Sequence, residues 1–444
     1  MNKTTVRNIV LLWLAWVLIV IGFPLLAEAR FQPQWPDMLI WMKGEPTDVS
    51  NYNLIGHPYM TEPFMNNQVS WDSENYIGIS LGGYDDPCIT VAYRSVYKHG
   101  GFVVPCTDTV NRGSEKPIVL SYAFFPFYPI LIHLLAIPLS PLGLNPIATA
   151  TLAGVIISAL GLLAAMLSLY DLTHEKLGED GAMRAVFYLL IFPSSFFFAQ
   201  VYTEGLFAGL AFGCLAMLKR KHLVIAALLA AAATLTRAVG IMLIIPMAIA
   251  WIQTNEWYDL DMEWDQLYFR QPPWRPLWHA FLAFTPLIVY LIWKFSYYGA
   301  MFDYVQTLYF GRAPLNLGNG FTIWAHTVYG VFAGHEIGRT DIVAPLAWRA
   351  HYAIEVACVV LGFAAILRSL KTDPEVAWFS LAAFLIAWVS GPPGIHRYML
   401  AAPALFITLA RWGKHPVFDR VWTIISLLLM GFLAMLYAFN FWVA

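Results

Sequence analysis

Residues 124–142 read FFPFYPILIHLLAIPLSPL, and whether this stretch crosses a membrane sets the side on which every later loop falls. It is apolar enough to span, yet Pro126, Pro129, Pro138 and Pro141 interrupt it, and each proline removes a backbone donor and clashes with the preceding turn. On either side, runs near the roughly 20 apolar residues a spanning helix needs occur at 9–27, 146–170, 185–200, 203–218, 222–236, 238–252, 277–296, 350–367, 375–391, 399–413 and 421–441. Lys and Arg collect in short cytoplasmic loops. If 124–142 stays on one side, Lys176, Arg184, Lys219, Arg220, Lys221, Arg270, Arg275, Arg368, Lys371, Arg411, Lys414 and Arg420 all fall on the cytoplasmic side. Arg237, Lys294, Arg312, Arg339, Arg349 and Arg397 fall on the other, mostly single and spread over longer loops. If it crosses, the clusters land outside and the rule breaks. The stretch is therefore expected to be juxtamembrane or re-entrant near the outer interface, giving about eleven spans with the N-terminus inside.

Composition points the same way. Of 444 residues, 59% are hydrophobic and 12% charged, about half the charged fraction of soluble domains. The 18 Trp and 22 Tyr suit side chains that settle at the headgroup level. A net charge of −2 and the lack of a basic stripe argue against a nucleic-acid partner. One membrane domain over residues 1–444 is expected, all-α and polytopic, with no internal repeat. Two outer segments, about 28–145 and about 297–349, exceed the usual connection of about 2–8 residues between helices, and long loops on one face are where function sits. The loop 253–276, which includes NEWYDLDMEWDQLYFRQPPWRP, reads as an interfacial segment. Lys3 and Arg7 before the apolar run Ile9–Ala27 imitate a signal peptide, but the run is longer than the usual apolar core of about 7–15 residues and is read as a retained first span. Cys88 and Cys106 both fall in the first outer loop, where an oxidising compartment permits a disulfide; Cys214 and Cys358 sit within apolar runs, and no Cys/His spacing reads as a zinc site.

Ionisable groups at the ends of spans are costly and functional by default. Glu204, Arg237 and Arg397 stand at three turns on the same expected face as the first outer loop. Each alone is as readily an interfacial residue whose stem lies along apolar surface; together with Asp72 they form a group. Arg397 follows Gly391-Pro392-Pro393-Gly394, a break that membrane depth tolerates only against protein or a wet cavity. Asp72 suits two roles, a general base held within reach of its proton or a cap of the helix that begins near Ser73-Glu74. Asp72, Glu74, Asp85 and Asp86 also offer oxygen ligands of the kind Mg²⁺ or Mn²⁺ accepts.

The segment WDSENYIGISLGGY (71–84), followed by AFFPFYP (123–129), resembles the PIG-V-like mannosyltransferases, whose pattern is roughly W-D-x-x-H-[FY], then I-x-x-x-G-Y, then A-F-F-P-L-Y-P. FPSSFFFAQVYTEGLF (192–207) is similar to the family's N-P-A-S-x-F-F-S-x-x-Y-[ST]-E-S-L-F, and ATLTRAVG (233–240) to its A-x-L-T-R-S-N-G. YYGAMFDYVQTLYFGR (297–312) resembles a stretch of bacterial members, and HRYMLAAPAL (396–405) their closing R-Y-x-x-x-x-P. The matches follow family order over roughly 70–410. Asn75 stands where the family often has His, Gly205 replaces Ser, and Ala238-Val239 replace Ser-Asn; these departures are expected to touch donor or acceptor contacts.

The resemblance implies a prokaryotic enzyme of the GT-C glycosyltransferase fold, with a large first outer loop carrying juxtamembrane helices. It implies inverting transfer, of mannose above all, from a polyprenyl-phosphate donor (dolichyl-phosphate mannose in the eukaryotic family member) to a hydroxyl of a glycolipid or glycan acceptor. Asp72 would be the base. Arg397, Arg237, His396, Tyr398 and Gln306 would face the donor, and Trp71, Glu74, Asn75, Tyr84, Tyr128, Tyr202 and Glu204 the substrates. No cofactor is expected, with arginines rather than a metal handling the phosphate, although a divalent cation stays open. The site would be extracytoplasmic, on the plasma membrane of a prokaryote or the endoplasmic reticulum of a eukaryote, among membrane lipids. Two alternatives remain: a GT-C enzyme using another polyprenyl-phosphate sugar, and a lipid or glycolipid flippase, which would more naturally show repeats or paired broken helices.

Overall fold

The computed structural model describes residues 1–30, 59, 62–85, 120–254, 274–310, 317–336, 339–343, 346–392, 394–438 and 443. In chain order its helices are α1 (Lys3–Arg30), α2 (Asp72–Gly82), α3 (Phe127–Leu139), α4 (Pro146–Ile191), α5 (Glu204–Lys219), α6 (Leu223–Thr236), α7 (Ile244–Thr254), α8 (Trp274–Lys294), α9 (Phe302–Phe310) and α10 (Leu317–Ala333). An antiparallel hairpin, β1 (His335–Glu336) and β2 (Arg339–Val343), follows, then α11 (Leu346–Ser369), α12 (Pro374–Val389), α13 (Ile395–Tyr398), α14 (Pro403–Trp412) and α15 (Pro416–Ala438). Among the described residues, five helices are long and apolar enough to cross a membrane: Lys3–Leu26, Pro146–Ile191, Leu277–Lys294, Arg349–Ser369 and Pro416–Ala438. The other expected spans fall on shorter helices, and proline explains where several stop. The expected span 185–200 ends as α-helix at Ile191, because Phe192 precedes Pro193 and is pushed to an extended conformation (ψ 140°); the chain continues as a 3-10 turn, Ser195–Ala199. In the same way Ala402, before Pro403, separates the 3-10 turn Met399–Ala401 from α14. Within α4, Gly178 takes a positive φ of 70°, which divides that element into two helices.

The stretch that opened the problem folds as α3, 13 residues long and so about 20 Å at 1.5 Å per residue, short of a hydrocarbon core of about 30 Å. It lies beside the first turns of α4: the Tyr128 hydroxyl donates to the Gly154 carbonyl at 2.9 Å, and Asn145, just beyond the C-terminal end of α3, caps α4 by accepting from the Ala148 N–H. Its outer face exposes Ile130, Leu134 and Ile137. At the far end of the bundle, Lys176 and Arg411 both bind Asp373 (2.9 and 2.7 Å), Arg220 binds Asp171 (2.6 Å), Lys219 binds Glu175 (2.9 Å) and Asn2 reaches Glu179 (3.5 Å). Four of the cations expected on one side thus share an end with the N-terminus.

The second long outer segment, 297–349, holds α9, α10 and the hairpin, and α11 begins within it at Leu346. α10 escaped the sequence reading because Gly318, Gly320 and Gly330 lower its helical propensity. Gly320 has a packing reason: a methyl there would come within 3.1 Å of the Trp388 ring, and Trp324 donates its indole N–H to the Trp388 carbonyl at 2.8 Å.

The contact that positions the rest is backbone against backbone. On α5, Gly205 and Gly209 face Ser158 and Gly161 of α4; a methyl on Gly205 would collide with the Ser158 carbonyl, one on Gly209 would lie 2.5 Å from the Gly161 oxygen, and one on Gly161 2.5 Å from the Leu206 nitrogen. Small residues four apart let membrane helices approach this closely. Gly205, expected to alter a substrate contact, is here required by helix packing. Gly213 lies one step further along the same face, but its added methyl would meet only the flexible end of Leu229 at 3.3 Å. Gly209→Leu should therefore lower the unfolding midpoint in detergent by an amount corresponding to about 1–3 kcal/mol or more, while Gly213→Ala stays near wild type; equal midpoints for the two variants would contradict this packing.

Candidate active site

Four charged side chains meet where two apolar clusters adjoin, one built around α4, α5, α12 and α14, the other around α2, α3 and the first turns of α4. Asp72 opens α2. Arg397 on α13 approaches its Oδ2 with Nη1 at 3.2 Å and the Oε1 of Glu204 with Nε at 3.3 Å. Arg237, at the end of α6, binds the same Glu204 oxygen through Nη1 and the Thr203 hydroxyl at 3.1 Å. The guanidinium of Arg397 also lies over Tyr202 (5.2 Å) and Tyr398 (5.5 Å), and that of Arg237 over Tyr398 (4.9 Å), within cation–π range. Burial works against the charge of Arg397, but Glu204 first and Asp72 second outweigh it and hold its pKa well above the ordinary arginine value. Two carboxylates and two guanidiniums balance, as burial demands. Side-chain exposure is 3% for Glu204, 7% for Arg397, 14% for Arg237 and 29% for Asp72, so Asp72 is the member that outside molecules can reach.

Local structure holds Asp72 in place. Trp71 takes φ 54°, ψ −110°, a left-handed conformation that a bulky residue adopts only when its surroundings impose it, at a cost of about 1–3 kcal/mol. The surroundings here are specific. Tyr202 accepts from the Asp72 N–H at 3.3 Å and donates to the Ser70 carbonyl at 3.0 Å. Ser70 donates to the Tyr437 carbonyl, and Ser73 shares a hydrogen bond with the Tyr437 hydroxyl, both at 3.2 Å. The helix-cap role for Asp72 is not observed: the cap position is Trp71, with no side-chain cap bond. The site is recessed. Tyr202 accepts from Ser158 through its carbonyl, and Ser158 lies twelve residues beyond Pro146, about 18 Å along α4.

Of the residues singled out from sequence, Asp72, Tyr202, Glu204, Arg237, Arg397 and Tyr398 come together, with Trp71 beside them. Glu74 is buried and Asn75 half-buried on α2. Tyr128 lies beneath Tyr76, edge-on at 5.2 Å, rather than in the charged cluster. Tyr84 stacks on Tyr298 at 4.6 Å and donates to the Phe124 carbonyl. Gln306 donates to the Ala123 carbonyl at 3.2 Å, and His396 turns its Nδ1 to Glu355 at 2.9 Å. Asp85 accepts from Tyr122 (2.6 Å) and Tyr298 (3.3 Å), apart from Asp72. Among the described residues no three His, Cys, Asp or Glu side chains converge as a metal site would require. Cys88, Cys106 and Asp86 lie outside the described residues, so the disulfide expectation does too. Sequence reading missed Glu355, although an acid inside an apolar run was a signal, and Tyr437, which carried none.

No family model matches the sequence, and no curated protein matches it. Among solved structures, the chain is similar to ArnT from Cupriavidus metallidurans bound to undecaprenyl phosphate, with 15% identity, a TM-score of 0.43, and coverage of 83% of this chain and 61% of that one. It is also similar to the archaeal oligosaccharyltransferase AglB from Archaeoglobus fulgidus in complex with an inhibitory peptide and a dolichol-phosphate, with 13% identity, a TM-score of 0.43, and coverage of 95% and 56%. This chain spans less than two thirds of the length of either. The features described above define a polytopic helical membrane protein with a recessed site of paired carboxylates and guanidiniums.

Removing Glu204 should leave two buried cations short of an anion. Glu204→Leu is expected to destabilise the protein by about 3–5 kcal/mol, whereas Lys294→Ala, which breaks the exposed pair with Asp303, should cost under about 1 kcal/mol. Thermal unfolding in one detergent compares them; similar midpoints for the two variants would remove Glu204 from the centre of the cluster.

Proposed function

We propose that the chain is a GT-C glycosyltransferase that transfers a sugar, mannose by its resemblance to the PIG-V-like enzymes, from a polyprenyl phosphate to a hydroxyl of a glycolipid or glycan, with inversion. One observation carries the reading. Four segments that resemble the family, 71–84, 192–207, 233–240 and 396–405, lie far apart in sequence, yet each contributes one member of the charged cluster: Asp72, Glu204, Arg237 and Arg397. The fifth, 297–312, stands aside at Gln306.

The chemistry follows from the charges. The acceptor oxygen bonds to the anomeric carbon as its proton passes to Asp72, and the bond from that carbon to the phosphate oxygen breaks. Negative charge grows on the leaving phosphate, where preorganised cations lower the barrier most. Arg397 presents a planar, permanently charged fork for this purpose, with Arg237 behind it. Asp72 and Arg397 touch in this structure, so the donor enters by parting them, Arg397 following the phosphate and Asp72 facing the acceptor. The polyprenyl tail lies among the spans. The membrane orientation consistent with the basic clusters puts the N-terminus in the cytoplasm and the site outside.

Asp72→Asn should lower turnover by about 10²–10⁴ with little change in folding, assayed on purified protein with a panel of radiolabelled polyprenyl-phosphate sugars. Arg397→Ala should lose about 10²–10³, and Arg397→Lys should recover only part, because a point charge lacks the bidentate geometry. Undiminished transfer by Asp72→Asn would exclude it as the base, and transfer from none of the donors by wild type would exclude the reaction.

The arginines, rather than a divalent ion, are proposed to neutralise the phosphate. Asp85, an acid of the first outer loop that offered a ligand oxygen, is engaged by two tyrosine hydroxyls, and Glu204 by two guanidiniums. Turnover is expected to survive a chelator such as EDTA; activity lost in chelator and restored by Mg²⁺ or Mn²⁺ would reverse this assignment.

A further inference from the structure

Glu355 sits on α11, fully buried, within a segment long and apolar enough to cross a membrane. A carboxylate in that setting is expensive unless donors surround it. Its hydrogen-bond donors come from a single turn. Gly394 N–H donates to Oε1 at 2.8 Å, His396 N–H to Oε2 at 3.1 Å, and His396 Nδ1 lies 2.9 Å from Oε1. His351, one turn away on α11, brings Nε2 within 3.5 Å of the same oxygen.

Within that turn Ile395 N–H donates to the Pro392 carbonyl at 3.3 Å and Arg397 N–H to the Gly394 carbonyl at 3.0 Å, but the N–H groups of Gly394 and His396 find their acceptors outside it. Gly391 and Gly394 take positive φ values of 102° and 78°, Pro392 brings no N–H, and the first N–H groups of a helix lack internal acceptors. Glu355 supplies the acceptors from another helix. The residue after His396 is Arg397, and Tyr398, whose ring faces both guanidiniums, follows it.

We propose that Glu355 is the positioning residue for Arg397: by fixing the backbone of 394–396, it sets how far the guanidinium extends between Asp72 and Glu204. This rests on the proposed function only for what Arg397 does to a phosphate; the clamp itself does not depend on it. His396, expected from the family resemblance to face the donor, gives its backbone N–H and its Nδ1 to this clamp. Gln at position 355 preserves shape, but its single carbonyl oxygen cannot satisfy three donors, and its NH₂ opposes one of them.

Phenylglyoxal labelling of arginines in the purified full chain, read by mass spectrometry, tests the position of Arg397 without any substrate. In Glu355→Gln, Arg397 should be labelled roughly tenfold faster than in wild type as the turn opens locally, with Arg237 unchanged. Unchanged labelling of Arg397 would overturn the proposal. A parallel rise at Arg237 would also overturn it, since that marks a general loss of structure. If Glu355→Gln does not fold, Glu355→Asp, which keeps the charge but shortens the reach, must show the same selective rise, and its absence counts against the clamp. Undecaprenyl phosphate added to wild type separates the two readings. Protection of Arg397 supports its role toward the donor; no protection removes that role, and the comparison of variants still decides Glu355.

Discussion

A single carboxylate oxygen organises the site. Glu204 Oε1 takes Arg237 from one helix and Arg397 from a turn some 160 residues away in sequence, and through Arg397 it reaches Asp72. Without it Arg237 would lose its carboxylate partner and Arg397 one of its two, and a buried cation short of a partner costs several kcal/mol. Glu204 itself holds station only because α5 begins where the backbones of α4 and α5 touch. Helix packing, ion pairing and the placement of Asp72 are thus one chain of dependence, running from glycine to carboxylate to guanidinium to carboxylate.

The strain at Trp71 fits that order. A residue with φ 54° persists because Tyr202 grips the backbone on both sides of it, and Tyr202 is two residues before Glu204. The loop bearing Asp72 and the helix bearing Glu204 are therefore set against each other by short hydrogen bonds as well as by charge. Strain of this kind is often retained where geometry matters to chemistry, and here it falls on the neighbour of the proposed base.

Much of this was legible in the sequence, for a physical reason. Asp72, Glu204, Arg237 and Arg397 stand out because charge near apolar helix ends needs an explanation, and the distribution of Lys and Arg argues for keeping 124–142 on one side. Glu355 carries the same signal, yet it lies inside an uninterrupted helix rather than at its end, and periodicity absorbed it. The Tyr437 contact with Ser73 left no trace at all, because a bond between residues 364 apart has no local pattern. α10 was lost to its glycines, which lower propensity in isolation; the packing reason of Gly320 shows only against Trp388.

The two walls of the site differ in how they can change over evolutionary time. Where Gly205 and Gly209 press on α4, an added side chain costs the fold stability, so lineages descended from this protein would keep that wall nearly fixed. The opposite wall hangs on a short turn tied by hydrogen bonds, whose residues can be exchanged in compensating pairs. Divergence in what the protein accepts would accumulate on the turn and on α2, and paralogues should be told apart there while their α4–α5 seams read almost alike.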